Sequence, residues 1–92
     1  MKLLRNIADM VRRLYRLWKY RKFGNPRAYG ALGDGHHDDT RAIQACINEN
    51  QRVYISAGVY IVSESLWVGP GKIIVGEPGQ AVVRNRWAMQ ND

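Results

Sequence analysis

Apolar residues near the N-terminus recur with helical spacing. Leu3, Ile7, Met10, Leu14 and Leu17 step by four, three, four and three, and a second stripe of Leu4, Val11 and Trp18 lies beside them. Together they predict an amphipathic helix whose apolar face is wide enough to pack against more than one neighbour. The seam runs for about two heptads, short of the three to four from which a coiled coil is read. Gly24, Asn25 and Pro26 follow as a C-cap residue, a turn former and a residue that cannot continue a helix. The pattern therefore predicts a helix over residues 1–23 and a short joint at 24–27.

Beyond the joint the period changes. Gly30, Gly33 and Gly35 punctuate residues 28–39, which read as a turn-rich loop. Asp38, Asp39 and Thr40 are consecutive N-cap candidates for a two-turn amphipathic helix at about 40–48, built on Ala42, Ile43, Cys46 and Ile47. The carboxylates also suit the positive end of that helix. Four β-like runs come next: Val53 to Ile55, Val59 to Val62 extending toward Val68, Lys72 to Val75, and Ala81 to Val83. Gly58, Gly69 to Gly71 and Gly76 to Gly79 stand at their corners. The unbroken run Ile73-Ile74-Val75 predicts strands buried within a stacked assembly rather than a two-faced hairpin. Residues 85–92, with Trp87 and Met89, close the chain as a polar tail.

Charge sharpens this division. The chain of 92 residues has a net charge of +6. Residues 1–23 hold Lys2, Arg5, Arg12, Arg13, Arg16, Lys19, Arg21 and Lys22 against Asp9 alone, a balance of +7, so the remainder sums to −1. A basic arm attached to a nearly neutral body points to an acidic partner, whether protein, nucleic acid or lipid. No stretch approaches the ~20 apolar residues of a membrane span, and arginines interrupt any signal-peptide core. The single cysteine, Cys46, excludes an internal disulfide and reads as a small buried residue.

Candidate chemistry is sparse. His36, His37, Asp38 and Asp39, with Asp34 nearby, are the one dense set of acid–base or metal-capable side chains. Adjacent histidines on a loop rarely converge on one ion, and the aspartates serve as helix caps, so no catalytic, metal or cofactor role is assigned. Nothing sets Glu64 and Glu77 across a sugar groove at the ~5–10 Å that a glycosidase pair needs. Gly33-x-Gly35 and Gly69-x-Gly71 lack the continuation of a phosphate loop and read as corners. Tyr15, Trp18, Tyr20 and Phe23 among the basic residues suit protein packing more often than base stacking or a lipid interface.

The stretch Tyr29-Gly30-Ala31-Leu32-Gly33-Asp34-Gly35-His36-His37-Asp38-Asp39-Thr40-Arg41-Ala42-Ile43-Gln44-Ala45 resembles the opening segment of the pectate-lyase-like right-handed β-helix superfamily. That superfamily includes phage tailspikes and some polysaccharide-degrading enzymes. Val53-Tyr54-Ile55 with Gly58-Val59-Tyr60, and Ile73-Ile74-Val75-Gly76-Glu77, resemble its first strand and turn and a later strand with its corner. The likeness spans about residues 28–84. His36-His37 and Ser56-Ala57 depart from the usual pattern, the latter where a proline is frequent.

The resemblance implies a mainly β fold with an N-terminal α-helix: opening coils of a right-handed parallel β-helix, with a short capping helix at about 40–48. Gly30, Gly33, Gly35, Gly58 and Gly76 would be its structural turns. Catalytic carboxylates in such proteins lie generally on middle coils beyond this length, so the chain is expected not to be an enzyme and to take no small-molecule substrate. Each coil buries its interior against its neighbours. A short stack is thus expected to be completed by copies of itself, as a trimer, or by another virion protein.

The expected function is that of a phage virion structural protein, an anchor or adaptor that docks to tail, portal or capsid and supports host-receptor attachment. Its expected partner interface is Leu3, Ile7, Met10, Leu14, Leu17 and Trp18, with Arg12, Arg13 and Arg16 pairing to acidic partner residues. Two alternatives stand beside it: the N-terminal piece of a polysaccharide depolymerase, and a basic-helix module that binds membrane or nucleic acid.

Overall fold

The computed structural model describes residues 2–86; side chains are described from Asn6 onward except that of Leu17. The parts of the tail and of the apolar stripes that fall on Trp87, Met89, Leu3, Leu4 and Leu17 lie outside the described residues or side chains. Helix α1 (Lys2–Lys19) is followed by a single 3-10 turn (Pro26–Tyr29), then β1 (Asp34–Asp38), α2 (Thr40–Glu49), β2 (Arg52–Ile55), β3 (Gly58–Val62), β4 (Ile73–Gly76) and β5 (Ala81–Asn85). The described part is thus mainly β, with one long N-terminal helix.

Every strand pairing is parallel. The order β1–β3–β5 makes one sheet and β2–β4 the other. Val53 pairs with Ile74, 21 positions on, and Val59 pairs with Val82, 23 positions on. Each sheet therefore gains a strand at nearly the same interval, and a two-residue corner at Ser56-Ala57 carries the chain from one sheet to the other. The later corner runs from Glu77 to Gln80 and is closed by the Gln80 and Ala81 amides on the Glu77 carbonyl, at 3.0 and 3.1 Å. Gly24 adds a parallel bridge to Val53 on the far edge of β2.

The core lies between the sheets and α2. Ala31, Ile43, Cys46, Ile47, Val53, Ile55, Tyr60 and Val62 form one buried cluster. The one-three-one spacing of Ala42, Ile43, Cys46 and Ile47 puts three of these residues on a single face of α2, which explains why so short a helix is stable here. Cys46 is a free, buried cysteine, and burial raises its thiol above the ordinary value.

Several sequence expectations are corrected. Helix α1 ends at Lys19, not near Gly24; residues 20–22 form a turn. Gly24 is not a left-handed cap, because its backbone N–H donates to Arg52 O at 2.9 Å and its carbonyl accepts from Tyr54 N at 2.8 Å. The joint at 24–27 is thus already built into the body. Residues 34–38, expected as loop, form strand β1 with an irregular register in which Asp34 faces Val59 and Asp38 faces Ile61. The reason is local: the Asp34 carboxylate takes the His36 and His37 amides at 3.0 Å each, diverting them from the ladder. Strand β3 stops at Val62 rather than running toward Val68. Gly76 lies in β4 and is not a turn, and Gly35 lies within β1 at a φ of +77°. Ile73 and Ile74 are 48% and 39% exposed, because β4 is the outer strand of its sheet among the described residues.

Candidate functional site

Helix α1 meets the body with its basic face. Arg16 hydrogen-bonds the Glu77 carboxylate at the β4–β5 corner. One turn further on, the Tyr20 ring stacks on Tyr54 with centroids 4.4 Å apart and planes 5° apart, and Phe23 meets Tyr20 edge-on at 5.0 Å. Aromatic pairs in these geometries are worth about 0.5–1.5 kcal/mol each beyond area burial. These contacts fix which way the helix is turned. Ile7 and Arg16 are nine residues apart, two and a half turns, and so lie on opposite sides of the helix. Leu14 and Trp18 each stand two positions from Arg16, again on the far side.

The apolar stripe consequently faces away from the body. Ile7, Met10, Val11, Leu14 and Trp18 are between 43% and 61% exposed. An amphipathic helix that belonged wholly to a monomer would be turned the other way, apolar face in and arginines out. Monomeric proteins rarely expose a contiguous apolar stripe of this kind. Of the expected interface residues, Ile7, Met10, Leu14 and Trp18 share this face, while Arg12, Arg13 and Arg16 lie on the opposite one. Arg16 is corrected: its guanidinium is occupied by Glu77 of the same chain. Arg12 stands 3.6 Å from Asp9 one turn earlier. Tyr20 and Phe23 serve intramolecular packing, whereas Tyr15 and Trp18 remain exposed, with Arg21 over the Trp18 ring at 4.7 Å.

The aspartates expected as helix caps divide the work differently. Asp39 occupies the N-cap position of α2, but its side chain makes no cap hydrogen bond. Its buried carboxylate instead accepts the Leu32 and Gly33 amides at 3.0 Å each, pinning the preceding loop. Asp38 takes the capping work, accepting the Thr40 amide at 3.0 Å, and its second oxygen accepts the Ser63 hydroxyl at 2.6 Å. The Thr40 hydroxyl accepts the Ser63 amide at 2.8 Å, so the start of α2 is stitched to the end of β3. The Ser63 hydroxyl, with the Thr40 hydroxyl and amide, lowers the Asp38 carboxyl to about 2. The His37 and His36 amides and the His37 ring hold the Asp34 carboxyl well below the usual carboxylate range. Each shift has its cause in local hydrogen bonding to the ionised form. Among the described residues no three His, Cys, Asp or Glu side chains converge to hold a metal ion.

Three positioning residues went unread in the sequence. Arg27 donates to Ser56 Oγ, Leu32 O and Ala57 O at 3.1, 2.6 and 2.6 Å, tying the 3-10 turn to the β2–β3 corner. Gln44 clamps the backbone of Trp67. Glu77, noted in sequence as part of a corner, is the residue that orients α1. Its signal was the segregation of charge, with seven of the chain's eight acidic residues in the body and eight basic residues in the arm.

Residues 23–92 match the family described as rhamnogalacturonase A/epimerase, pectate lyase-like. The chain belongs to this family. Within the pectate lyase-like proteins its relatives are diverse in name. A glucan 1,3-beta-glucosidase of Cochliobolus carbonum is 40% identical over 65 residues, covering 66% of this chain and 8% of that protein. A pre-neck appendage protein of Bacillus phage B103 is 37% identical over 70 residues, covering 75% of this chain and 8% of that protein. Among solved structures, the N-terminal fragment of bacteriophage phi29 gene product 12 superposes with a TM-score of 0.65 at 31% identity, covering 87% of this chain and 13% of that one. The chain therefore spans less than a tenth of the length of these two curated relatives. The phi29 match, at 87% of 92 residues, is longer than the family segment from residue 23 onward and so extends into α1. The glucosidase match is no longer than that segment.

Proposed function

We propose that this chain is the attachment end of a phage virion appendage. Helix α1, as an anchor over residues 1–23, docks to a tail, portal or capsid protein and gathers copies of the chain as a trimer. Residues 28–84 form the opening coils of a right-handed parallel β-helix that supports host-receptor attachment. The observation that carries this reading is the inverted orientation of α1, basic face to its own body and apolar face to solvent. Burying that face would remove Ile7, Met10, Val11, Leu14 and Trp18 from water together, at roughly 1.5–3 kcal/mol for each large side chain fully covered. In a parallel bundle of copies the arginines would lie on the outside, each row against its own body. The near-constant interval of parallel pairings supports the coil assignment, since a coil of fixed length is what adds one strand to each sheet in turn. Extension of the phi29 match into α1 supports the virion setting.

The test is incorporation. Replacing Leu14 by Asp places a charge on the outward face while touching nothing in the body, so the variant should fold and be missing from purified particles. Normal incorporation overturns the anchor assignment.

A second reading is favoured by the glucosidase likeness: the same coils begin a carbohydrate-active protein whose catalytic carboxylates lie on later coils. It is tested by assaying the 92-residue chain and a longer polypeptide carrying further coils on β-glucans and host polysaccharides. Cleavage confined to the longer polypeptide supports it, and cleavage by neither removes it.

A further inference from the structure

The inward face of α1 carries more positive charge than the body answers. Arg16 is met by Glu77, but Arg12 has only Asp9 at 3.6 Å, with both side chains about two-thirds exposed. No carboxylate among the described residues pairs with Arg13. Asp9, Arg12 and Arg13 line one side of a cleft of about 520 Å³ between helix and body, Tyr54 and Gln80 line the other, and the Arg16–Glu77 pair lines it too. That volume falls in the ~300–1,000 Å³ range of ligand-sized clefts.

We propose that this cleft receives an extended acidic peptide segment of the protein to which α1 docks, its carboxylates pairing with Arg12 and Arg13. Glu77 already demonstrates the chemistry, since it is a carboxylate from outside the helix bonded to this arginine row. Arg12 stands one turn from Arg16 and offers the next position. Arg12 and Arg13 are about 100° apart around the helix, which suits spaced carboxylates on a chain better than one compact anion. The inference rests on the anchor reading and deepens it: the partner grips α1 on both faces, outward through apolar burial and inward through charge.

The full 92-residue chain is titrated into fluorescein-labelled hexaglutamate and followed by anisotropy. Binding should weaken at least about tenfold in an Arg12→Ala/Arg13→Ala variant and stay unchanged in Lys22→Ala/Arg41→Ala, which removes equal charge elsewhere. Tyr20→Ala loosens the arm from Tyr54 without altering charge and should weaken binding about fivefold, because both walls are needed. Leu14→Asp should bind hexaglutamate normally, so failure of the anchor reading and failure of this one are separable. Equal loss in the two charge-matched pairs, no binding by the parent chain, or full binding by Tyr20→Ala overturns the proposal. Tighter binding of duplex DNA or anionic vesicles through Arg12 and Arg13 overturns it as well.

Discussion

Gln44 grips the backbone of Trp67 with both ends of its amide, Nε2 donating to the Trp67 carbonyl at 2.8 Å and Oε1 accepting the Trp67 amide at 2.8 Å. The side chain thereby acts as a short piece of strand, ordering a segment that has no regular secondary structure. Glutamate keeps the acceptor but loses the donor. Gln44→Glu should lower stability by about 1 kcal/mol and Gln44→Ala by about 1–2 kcal/mol, the latter shifting the melting temperature by roughly 4–15 °C. Thermal unfolding by circular dichroism checks the order; equal melting temperatures for all three chains would show that the clamp contributes nothing.

Asp39 and Asp38 are neighbours with different environments, and isosteric replacement separates them. Asn at position 39 must present a donor to one of the Leu32 and Gly33 amides inside the protein, leaving a buried group unmatched. Asp39→Asn should therefore cost about 1–3 kcal/mol, and Asp38→Asn, which is exposed, clearly less. Urea unfolding midpoints measure the difference, and a larger loss at position 38 would contradict the assignment.

Acid should weaken the fold through Asp34 and Asp38. Both carboxyls are held below their ordinary values in the folded state, Asp38 at about 2. A depressed folded value means that the contribution is complete above the unfolded value of roughly 4 and disappears as pH falls toward the folded one. The stability loss assignable to these groups thus lies between roughly pH 4 and about 2 for Asp38, continuing lower for Asp34. An Asp34→Asn/Asp38→Asn variant should show a shallower decline of the urea midpoint from pH 5 to pH 2. An unchanged slope would mean that these hydrogen bonds do not survive in solution.

Gly33 and Gly30 both have positive φ, +60° and +101°, but differ in their surroundings. A Cβ at Gly33 would stand 2.8 Å from the Arg27 guanidinium and 3.0 Å from the Tyr60 ring, whereas one at Gly30 meets nothing within 4 Å. Gly30→Ala carries the conformational cost alone, about 1–2 kcal/mol. Gly33→Ala adds the displacement of Arg27 from the corner it ties together, and should be the more destabilising by at least about 1 kcal/mol. Chemical unfolding of the two variants side by side decides the matter.

Much of the architecture was legible in the residues. The apolar stripe of α1, the short helix on Ile43, Cys46 and Ile47, and four strand-like runs all follow from spacing, because the periods of helix and strand are local properties. The helix C-terminus was misplaced because Gly24 satisfies its backbone groups across to β2, a pairing that local stop signals do not reveal. Strand β1 was missed because His36, His37 and the glycine before them have little strand propensity; pairing with β3 overrides it. A weak repeat was present and unread: Val53-Tyr54-Ile55 with its following Gly58-Val59 recurs as Ile74-Val75-Gly76 with Ala81-Val82, the two copies differing by a longer corner.

The amino-acid order alone determined that this protein has a basic amphipathic arm, a joint and a Gly-punctuated β body, since each depends on neighbours within a few positions. Tertiary structure alone decided which face of the arm is free. That choice is made by Arg16 and Glu77, 61 positions apart, and by Tyr20 on Tyr54. Contacts between residues so distant in the chain exist only once the strands have stacked in register and brought the β4–β5 corner beneath the helix.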